Sequence, residues 1–207
     1  MIKELDWLLV GIYFRFLIVS KFNKMLSRFF ALILSILFSP IFLIVFITIL
    51  IEDGFPVFFT QKRVGINYSF FNIYKFRTMK KNTPNVATHL LENPDKYLLK
   101  IGKFIRKTSL DELPNLINIL KGEMVFVGPR PALYNQDDLM SLRVASGVDK
   151  LKPGITGWAQ INGRDEISIP EKVKLEQEYL EKKSFLFDFE IVIKTFTSVL
   201  GRKGVSH

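Results

Sequence analysis

The chain has 207 residues, enough for one domain with a buried core. It contains no cysteine and only two histidines, which excludes disulfides, iron–sulfur clusters and thiolate nucleophiles and argues against a zinc site. The formal net charge of +9 favours an anionic partner: phosphorylated small molecules, the anionic surface of a membrane, or nucleic acid.

Two apolar segments stand in the first quarter of the chain. Residues 5–19 are apolar but interrupted by Arg15, which is typical of a helix that lies at the membrane interface. Residues 29–51 form an uncharged run of roughly 23 residues, about the length that crosses a hydrocarbon core. The sequence therefore divides into an N-terminal interfacial segment (1–28), a membrane helix (29–51) and a globular domain (52–207).

Ser39 and Pro40 lie near the middle of the long apolar run. Proline removes a backbone hydrogen bond and can kink a helix, so the chain can turn back to the side from which it entered. Basic residues flank both ends, with Arg28 before the run and Lys62 and Arg63 after it, which favours a cytoplasmic position for both ends. The residues alone leave a re-entrant helix and a full crossing as equal alternatives, because many crossing helices contain proline.

The rest of the chain predicts a mainly α-helical α+β domain with a small β-hairpin. Residues 57–60 and 70–76 are typical of short strands and are separated by a Gly-Ile-Asn turn. Helices are predicted at 96–107, 114–121 and 170–180. Near the C-terminus, apolar residues at helical spacing predict a helix whose apolar face contacts either the core or a membrane. These residues are Phe185, Phe189, Val192, Ile193, Phe196, Val199 and Leu200.

Two adjacent acidic residues, Asp111 and Glu112, stand where a helix begins. Ser109 and Glu112 have the spacing of a capping box, whereas Pro114 favours a helix that begins at the proline. In either register the carboxylates lie near the positive end of a helix dipole, which predicts lowered pKa values. An ionised carboxylate in this place suits a nucleophile or a metal ligand better than a proton donor.

A carboxylate that attacks a phosphorus atom needs cations nearby, because it meets like-charge repulsion from the phosphate. Arg106 is one candidate, and Arg130, between two prolines, is another, although its segment can equally be a rigid turn. Mg²⁺ is the expected third cation, since it binds through one or two carboxylates plus substrate phosphates. A glycine-containing loop at 152–164 either clasps a nucleotide or forms a simple turn.

Five motifs, taken in order, resemble those of the bacterial sugar transferases, the small monotopic phosphoglycosyl transferases. The motifs are KFRTM (75–79), TSLDELP (108–114), LKGEM (120–124), VGPRP (127–131) and KPGITGW (152–158). The resemblance extends from about residue 22 to the C-terminal helix. Several independent motifs in the right order make it highly specific.

The resemblance implies a monotopic enzyme on the cytoplasmic face of the bacterial inner membrane, with a re-entrant helix broken at Ser39-Pro40 and amphipathic helices in the interface. It implies transfer of a sugar-1-phosphate from a UDP-sugar to undecaprenyl phosphate, with release of UMP. The expected sugar is an N-acetylated amino sugar, and the reaction is the first membrane step of surface glycan biosynthesis. The implied mechanism is ping-pong, through a phosphosugar ester on the enzyme.

The resemblance also implies roles for individual residues. Asp111 attacks the sugar-linked phosphate and binds Mg²⁺, and Glu112 either assists the phosphate of the lipid carrier or positions groups. Arg106 and Arg130 match positions that bind substrate phosphate. The residues expected to bind the nucleotide sugar are Lys75, Arg77, Gln160 and Arg164.

Other classes of function remain as alternatives. One is a non-catalytic basic adaptor that docks on anionic membrane lipid. Another is a membrane-tethered nucleic-acid binder, suggested by aromatic and basic residues interleaved over 68–81, but we expect no nucleic-acid partner. The sequence leaves open which UDP-sugar is used, which glycan pathway is served and whether the enzyme is a homodimer.

Overall fold

The computed structural model describes residues 25–84, 93–163 and 167–200. Helices make up most of this part of the chain, and two small two-stranded sheets lie among them. This confirms the predicted mainly helical α+β architecture. The interfacial helix expected at residues 5–19 lies outside the described residues.

The long apolar run forms two helices, α1 (described over Met25–Leu37) and α2 (Ser39–Asp53), which meet at an angle of 62°. The break follows from Pro40, whose nitrogen cannot donate to the carbonyl of Ile36 one turn earlier. The Ser39 hydroxyl donates to that carbonyl instead, at 2.7 Å. Within the described residues no single helix is long and apolar enough to cross a membrane, whereas this bent pair is, by length and composition alone.

Both ends of the bent pair contact the same globular domain. Near the start of α1, Ala31 is fully buried against Phe71 and Leu116, and Arg28 donates to the carbonyl of Lys121 at 3.2 Å. The far end of α2 is held to the domain by its two final acidic residues. The chain therefore leaves the domain and returns to it within one helix pair.

Those final acidic residues fix the position of two further elements. Glu52 accepts the backbone amides of Lys100, at 2.6 Å, and Ile101, at 3.3 Å, and so caps the helix that begins there. Asp53 pairs with the buried Arg77, which also donates to backbone carbonyls of the loop after α2. The helix pair and the globular domain thus share polar contacts as well as apolar ones.

The predicted hairpin consists of β1 (Phe58–Val64) and β2 (Phe70–Phe76), antiparallel and paired over all seven residues of each strand. A 3-10 turn at Ile66–Tyr68 joins them, with Asn67 in the left-handed region that asparagine tolerates. The first strand runs four residues beyond the predicted 57–60, because its polar and basic residues obscure the strand pattern. Phe76 and Phe58 of the hairpin pack against Phe42 and Phe46 of α2 with tilted rings.

Asn118, which is fully buried, closes the outer edge of β2. Its Oδ1 accepts the backbone N–H of Tyr74 at 3.1 Å, and its Nδ2 donates to the carbonyl of Asn72 at 2.7 Å. The same Nδ2 donates to Glu123, also at 2.7 Å. One side chain therefore holds α5 (Asn115–Lys121) against the hairpin.

The helices described between the hairpin and α5, in residues 77–84 and 93–114, are short. They are α3 (Pro94–Tyr97) and α4 (Lys100–Lys107), and a single 3-10 turn (Leu110–Glu112) joins α4 to α5. The prediction of one helix over 96–107 is wrong at its start, because Leu98 is extended and forms a β-bridge with Met79. The chain is thereby held beside the end of the hairpin.

A second sheet, for which the sequence offers no clear pattern, pairs β3 (Val125–Val127) with β4 (Gly154–Thr156) in parallel. Gly128 permits this close approach, since a Cβ there would lie 2.3 Å from the backbone oxygen of Lys152. The pairing places the loop after β3 beside the loop after β4. The surrounding helices are α6 (Asp137–Ser146), α7 (Trp158–Ile161), α8 (Ile169–Lys182) and α9 (Phe185–Leu200).

Helix α9 turns polar residues inward and large apolar residues outward. The hydroxyls of Thr195 and Thr156 are 2.7 Å apart, and Asp188 accepts from the buried Tyr179 hydroxyl at 2.7 Å. Ile191 is the helix's fully buried apolar contact. The structure thus excludes contact with the core for most of the predicted apolar face. Its exposed members, with Leu186, are Phe185, Phe189, Ile193 and Phe196.

A buried ion pair links α6 to α8. Arg143 and Glu176 have side chains 6% and 2% exposed, and Arg143 Nε donates to Glu176 Oε2 at 2.8 Å. Arg143 Nη2 also donates to the carbonyl of Arg130 at 2.9 Å. The pair therefore fixes the backbone of the loop that follows β3.

We expect Glu176→Gln to lower the free energy of unfolding by about 3–5 kcal/mol, because it leaves the buried Arg143 guanidinium without its counter-charge. The measurement is thermal unfolding in detergent. Glu190→Gln is the control, since its pair with Lys194 is about half exposed and should contribute nothing measurable. Equal melting temperatures for both variants would contradict a structural role of the buried pair.

Candidate active site

The adjacent carboxylates Asp111 and Glu112 lie on the single 3-10 turn between α4 and α5. Ser109 enters this turn with φ of +57°, a left-handed conformation uncommon outside glycine, and its side chain makes no capping bond. The capping-box interpretation is therefore wrong. The alternative is confirmed, because α5 begins at Asn115, directly after Pro114.

Glu112 is paired with Lys75 of β2, whose Nζ lies 2.7 Å from Oε1. Both side chains line a small cavity that is partly open to solvent, together with Arg63, Arg130 and Gln160. Burial disfavours the charge on Glu112. The charges of Lys75, Arg130 and Arg63 outweigh that effect and hold the pKa of this carboxyl below its usual range. Glu112 is therefore a stably ionised group.

Asp111 differs from its neighbour. Burial and the negative charge of Glu112 raise the pKa of Asp111 to about 6, and Lys75 and Arg106 offset this only in part. The prediction of lowered pKa values is confirmed for Glu112 and wrong for Asp111, because a single 3-10 turn does not outweigh burial beside a like charge. Asp111 makes no ion pair or hydrogen bond with another side chain in the described ranges, which leaves its oxygens available to a ligand.

The two arginines predicted to bind phosphate come from different elements. Arg106, in the last turn of α4, donates from Nε to Thr78 Oγ1 at 2.8 Å, and its charge acts on Asp111. Arg130 lines the cavity from the loop after β3, and its charge acts on Glu112. Among the residues that the structure describes, the Arg130 guanidinium has no hydrogen-bond partner. Both arginines are thus placed around the acidic pair.

The four residues predicted to bind the nucleotide sugar do not stay together. Lys75 and Gln160 line the cavity. Arg77 lies just beyond the end of β2, where it is buried and engaged by Asp53, so its contacts are those of a structural residue. Arg164 lies outside the described residues.

Two residues of the cavity have no motif that points to them as site residues. Arg63, on β1, donates to the carbonyl of Pro131 at 3.0 Å and to Gln61 Oε1 at 2.6 Å. Asn115, directly after the acidic motif, is 2% exposed and lines the same cavity. The hairpin register could have indicated Arg63, and the position of Asn115 one turn after Glu112 could have indicated the other.

The carboxylate oxygens of this site suit a Mg²⁺ ion that is held jointly by the protein and by the phosphates of a ligand. In the described ranges no three acidic, histidine or cysteine side chains cluster, so the chain there forms no complete protein cage. Asp111 nevertheless offers a carboxylate that has no side-chain partner among the described residues. Mg²⁺ is commonly held by one or two carboxylates plus phosphate oxygens of a ligand, which is the arrangement this site can supply.

Comparison with known proteins matches residues 19–202 to the family described as "Bacterial sugar transferase". "Uncharacterized sugar transferase EpsL" of Bacillus subtilis is 42% identical over 168 residues, which cover 81% of each chain. "Exopolysaccharide production protein ExoY" of Rhizobium meliloti is 36% identical, over 82% of this chain and 81% of that protein. "UDP-glucose:undecaprenyl-phosphate glucose-1-phosphate transferase" of Escherichia coli is 38% identical over 86% of this chain and 40% of its own length.

Replacing Asp111 with asparagine removes a charge that the fold disfavours. Because the pKa of Asp111 is raised from 3.8 to about 6, its ionisation lowers stability above that pH and this cost fades as the pH falls toward 4. We expect Asp111→Asn to raise the free energy of unfolding by about 1–3 kcal/mol at pH 7.5, with a gain that shrinks below about pH 6.

Thermal unfolding in EDTA, without substrates, between pH 4 and pH 8 measures this effect. Asp95→Asn is the control, since its carboxylate is largely exposed and should change the melting temperature little at any pH. A variant at Asp111 that is less stable than the wild type at pH 7.5 would contradict the prediction.

Proposed function

The chain belongs to the bacterial sugar transferase family, and we propose that it transfers a sugar-1-phosphate from a UDP-sugar to undecaprenyl phosphate, with release of UMP. The observation that carries the proposal is Asp111, a carboxylate with no side-chain partner among the described residues, which lies beside Lys75 and Arg106, while Arg130 acts on the adjacent Glu112. Since the pKa of Asp111 is about 6, most of this carboxyl is ionised at pH 7.5. It is therefore equipped to attack a phosphorus atom.

In the first half-reaction, a carboxylate oxygen of Asp111 attacks the phosphorus that carries the sugar. The bond from this phosphorus to the UMP oxygen breaks, UMP leaves with the electron pair, and a phosphosugar ester remains on the aspartate. Arg106, Arg130 and Lys75 offset the repulsion between carboxylate and diphosphate. Mg²⁺, when bound to Asp111 and the phosphates, supplies further positive charge at the same place.

In the second half-reaction, a phosphate oxygen of undecaprenyl phosphate attacks the same phosphorus and frees the Asp111 carboxylate. The product is undecaprenyl-diphosphate-sugar. Glu112 is a weak base at neutral pH because its pKa is lowered, so its role is to hold Lys75 and orient groups rather than to take a proton. The roles of the two acids thus follow from their opposite pKa shifts.

The carrier lipid stays in the bilayer, so the active site must lie at a membrane surface. The helix pair α1 and α2 exposes large apolar side chains, including Leu37, Ile44 and Ile51, which are 65–80% exposed. Helix α9 exposes a second such face. Surfaces of this kind mark contact with lipid or a partner. We assign both to the membrane.

Re-entry of the helix pair, rather than a full crossing, is supported by the contacts at its two ends. Arg28 near the start and Glu52 and Asp53 at the end all contact the same globular domain. A straight crossing would place these ends on opposite faces of the bilayer. Basic residues on both sides of the pair favour the cytoplasmic face of the bacterial inner membrane for the domain.

We expect purified wild-type protein to release UMP from one member of a panel of UDP-sugars in detergent with undecaprenyl phosphate and Mg²⁺. The panel compares N-acetylated amino sugars with neutral hexoses. Asp111→Asn should reduce turnover by at least about 1000-fold, since no nucleophile remains. Asp95→Asn should retain the turnover of the wild type, since Asp95 is largely exposed and pairs with Lys103 rather than with a residue of the site. No UMP from any sugar, in folded wild-type protein, would favour the non-catalytic membrane adaptor.

The absence of cysteine makes the membrane topology directly testable with single cysteines. In right-side-out vesicles we expect neither Ser27→Cys nor Asn82→Cys to react with a membrane-impermeant maleimide, and in inverted vesicles we expect both to react. Leu37→Cys, at the bend, should react only after detergent is added. Labelling of Ser27→Cys and Asn82→Cys from opposite sides would show a full crossing and overturn the re-entrant assignment.

A further inference from the structure

Two carboxamide oxygens in the cavity are buried without a partner. They are Oδ1 of Asn115 and Oε1 of Gln160, and neither accepts a hydrogen bond from any residue in the described part of the chain. Both residues line the cavity that also contains Lys75, Glu112 and Arg130. An unpaired buried acceptor lowers stability, so such a pair beside an acidic dyad indicates that a ligand supplies the missing donors.

The orientation of Gln160 is fixed by its other end. Its Nε2 donates to the backbone carbonyl of Ile155 at 3.0 Å, which leaves Oε1 as the acceptor. Asn115 is 2% exposed and lies three residues after Glu112, at the first position of α5. Its carboxamide is therefore held close to the acidic dyad by the backbone of the helix.

Phosphate cannot satisfy these two oxygens. At neutral pH a diphosphate is an acceptor of hydrogen bonds, and the cations Lys75 and Arg130 on the same cavity wall suit it. The carboxamide oxygens instead accept from an O–H or N–H donor, or bind a cation such as Mg²⁺ directly. In a nucleotide sugar such donors are the sugar hydroxyls, an N-acetyl amide and the uracil N–H.

The proximity of Asn115 to the dyad favours the sugar among these sources. The phosphorus that Asp111 attacks carries the sugar directly, whereas the uracil lies beyond a second phosphate and a ribose. When the attacked phosphorus is in place, the sugar substituents nearest to it are therefore the donors of the nucleotide sugar that lie closest to the dyad.

We propose that Asn115, together with Gln160, accepts hydrogen bonds from an O–H or N–H substituent of the transferred sugar and so determines which UDP-sugar is used. This assignment rests on the proposed function. The assignment makes Asn115 a specificity-determining residue, although Asn115 is uncharged and lies just after the motif that contains Asp111 and Glu112. It also explains why the fold tolerates two unpaired acceptors in one cavity.

The test is Asn115→Leu, which removes the acceptor at similar side-chain volume. We expect its melting temperature to equal or exceed that of the wild type, because no protein partner is lost. With the best UDP-sugar, kcat/KM should fall by about 10- to 100-fold. A deoxy analogue that lacks the recognised donor should lose the same factor in the wild type and nothing further in the variant. Asn135→Leu, on an exposed residue, is the matched control.

Each outcome bears on the assignment. An unchanged kcat/KM in Asn115→Leu, with active wild type, would overturn it and leave the proposed function intact. If inhibition by UMP weakens by the same factor in Asn115→Leu, the acceptor binds the uracil, and the sugar assignment is overturned. If the wild type releases no UMP from any UDP-sugar, the proposed function fails and the assignment fails with it.

Discussion

Two adjacent carboxylates in a partly buried site repel each other. The elements around them are arranged so that cationic side chains offset this repulsion. Lys75 comes from the hairpin, Arg106 from the end of α4 and Arg130 from the loop after β3. Each support is itself secured: α4 by Glu52, and the Arg130 backbone by the buried Arg143–Glu176 pair. The charge is shared unequally, so one acid stays ionised and its neighbour keeps a raised pKa.

Much of the fold could be predicted from sequence because it depends on local signals. The hairpin, the bend at Ser39-Pro40 and α8 follow from β-type residues, proline chemistry and helix start signals. Spacing alone does not identify a capping box, because Ser168 and Glu171 form one at the start of α8 whereas Ser109 and Glu112, with the same spacing, do not. The parallel β3–β4 pair depends on a contact between distant segments of three residues each, which leave no periodic pattern.

Most of the charged residues of the site, and Gln160 among the neutral ones, could be predicted, whereas Arg63 and Asn115 could not. Asp111, Glu112, Arg130 and Lys75 are charged residues within recognisable motifs, Arg106 lies two residues before one of these motifs, and the structure brings all five together. Arg77 belongs to a motif as well, but its partner Asp53 is distant in sequence and draws it into the junction with α2. Whether an asparagine is paired with its own protein or left for a ligand depends on tertiary packing. The contrast between Asn118 and Asn115 is not visible in the sequence.

The carboxamide of Asn118 has a consequence for how this protein behaves among copies of itself. A two-stranded hairpin offers an outer row of N–H and C=O groups on which a foreign strand could assemble. Asn118 occupies the N–H of Tyr74 and the carbonyl of Asn72, the pair that an incoming strand would need in the middle of β2. The side chain thus imitates a third strand one residue long. Copies of this protein are thereby protected from edge-to-edge polymerisation at this strand.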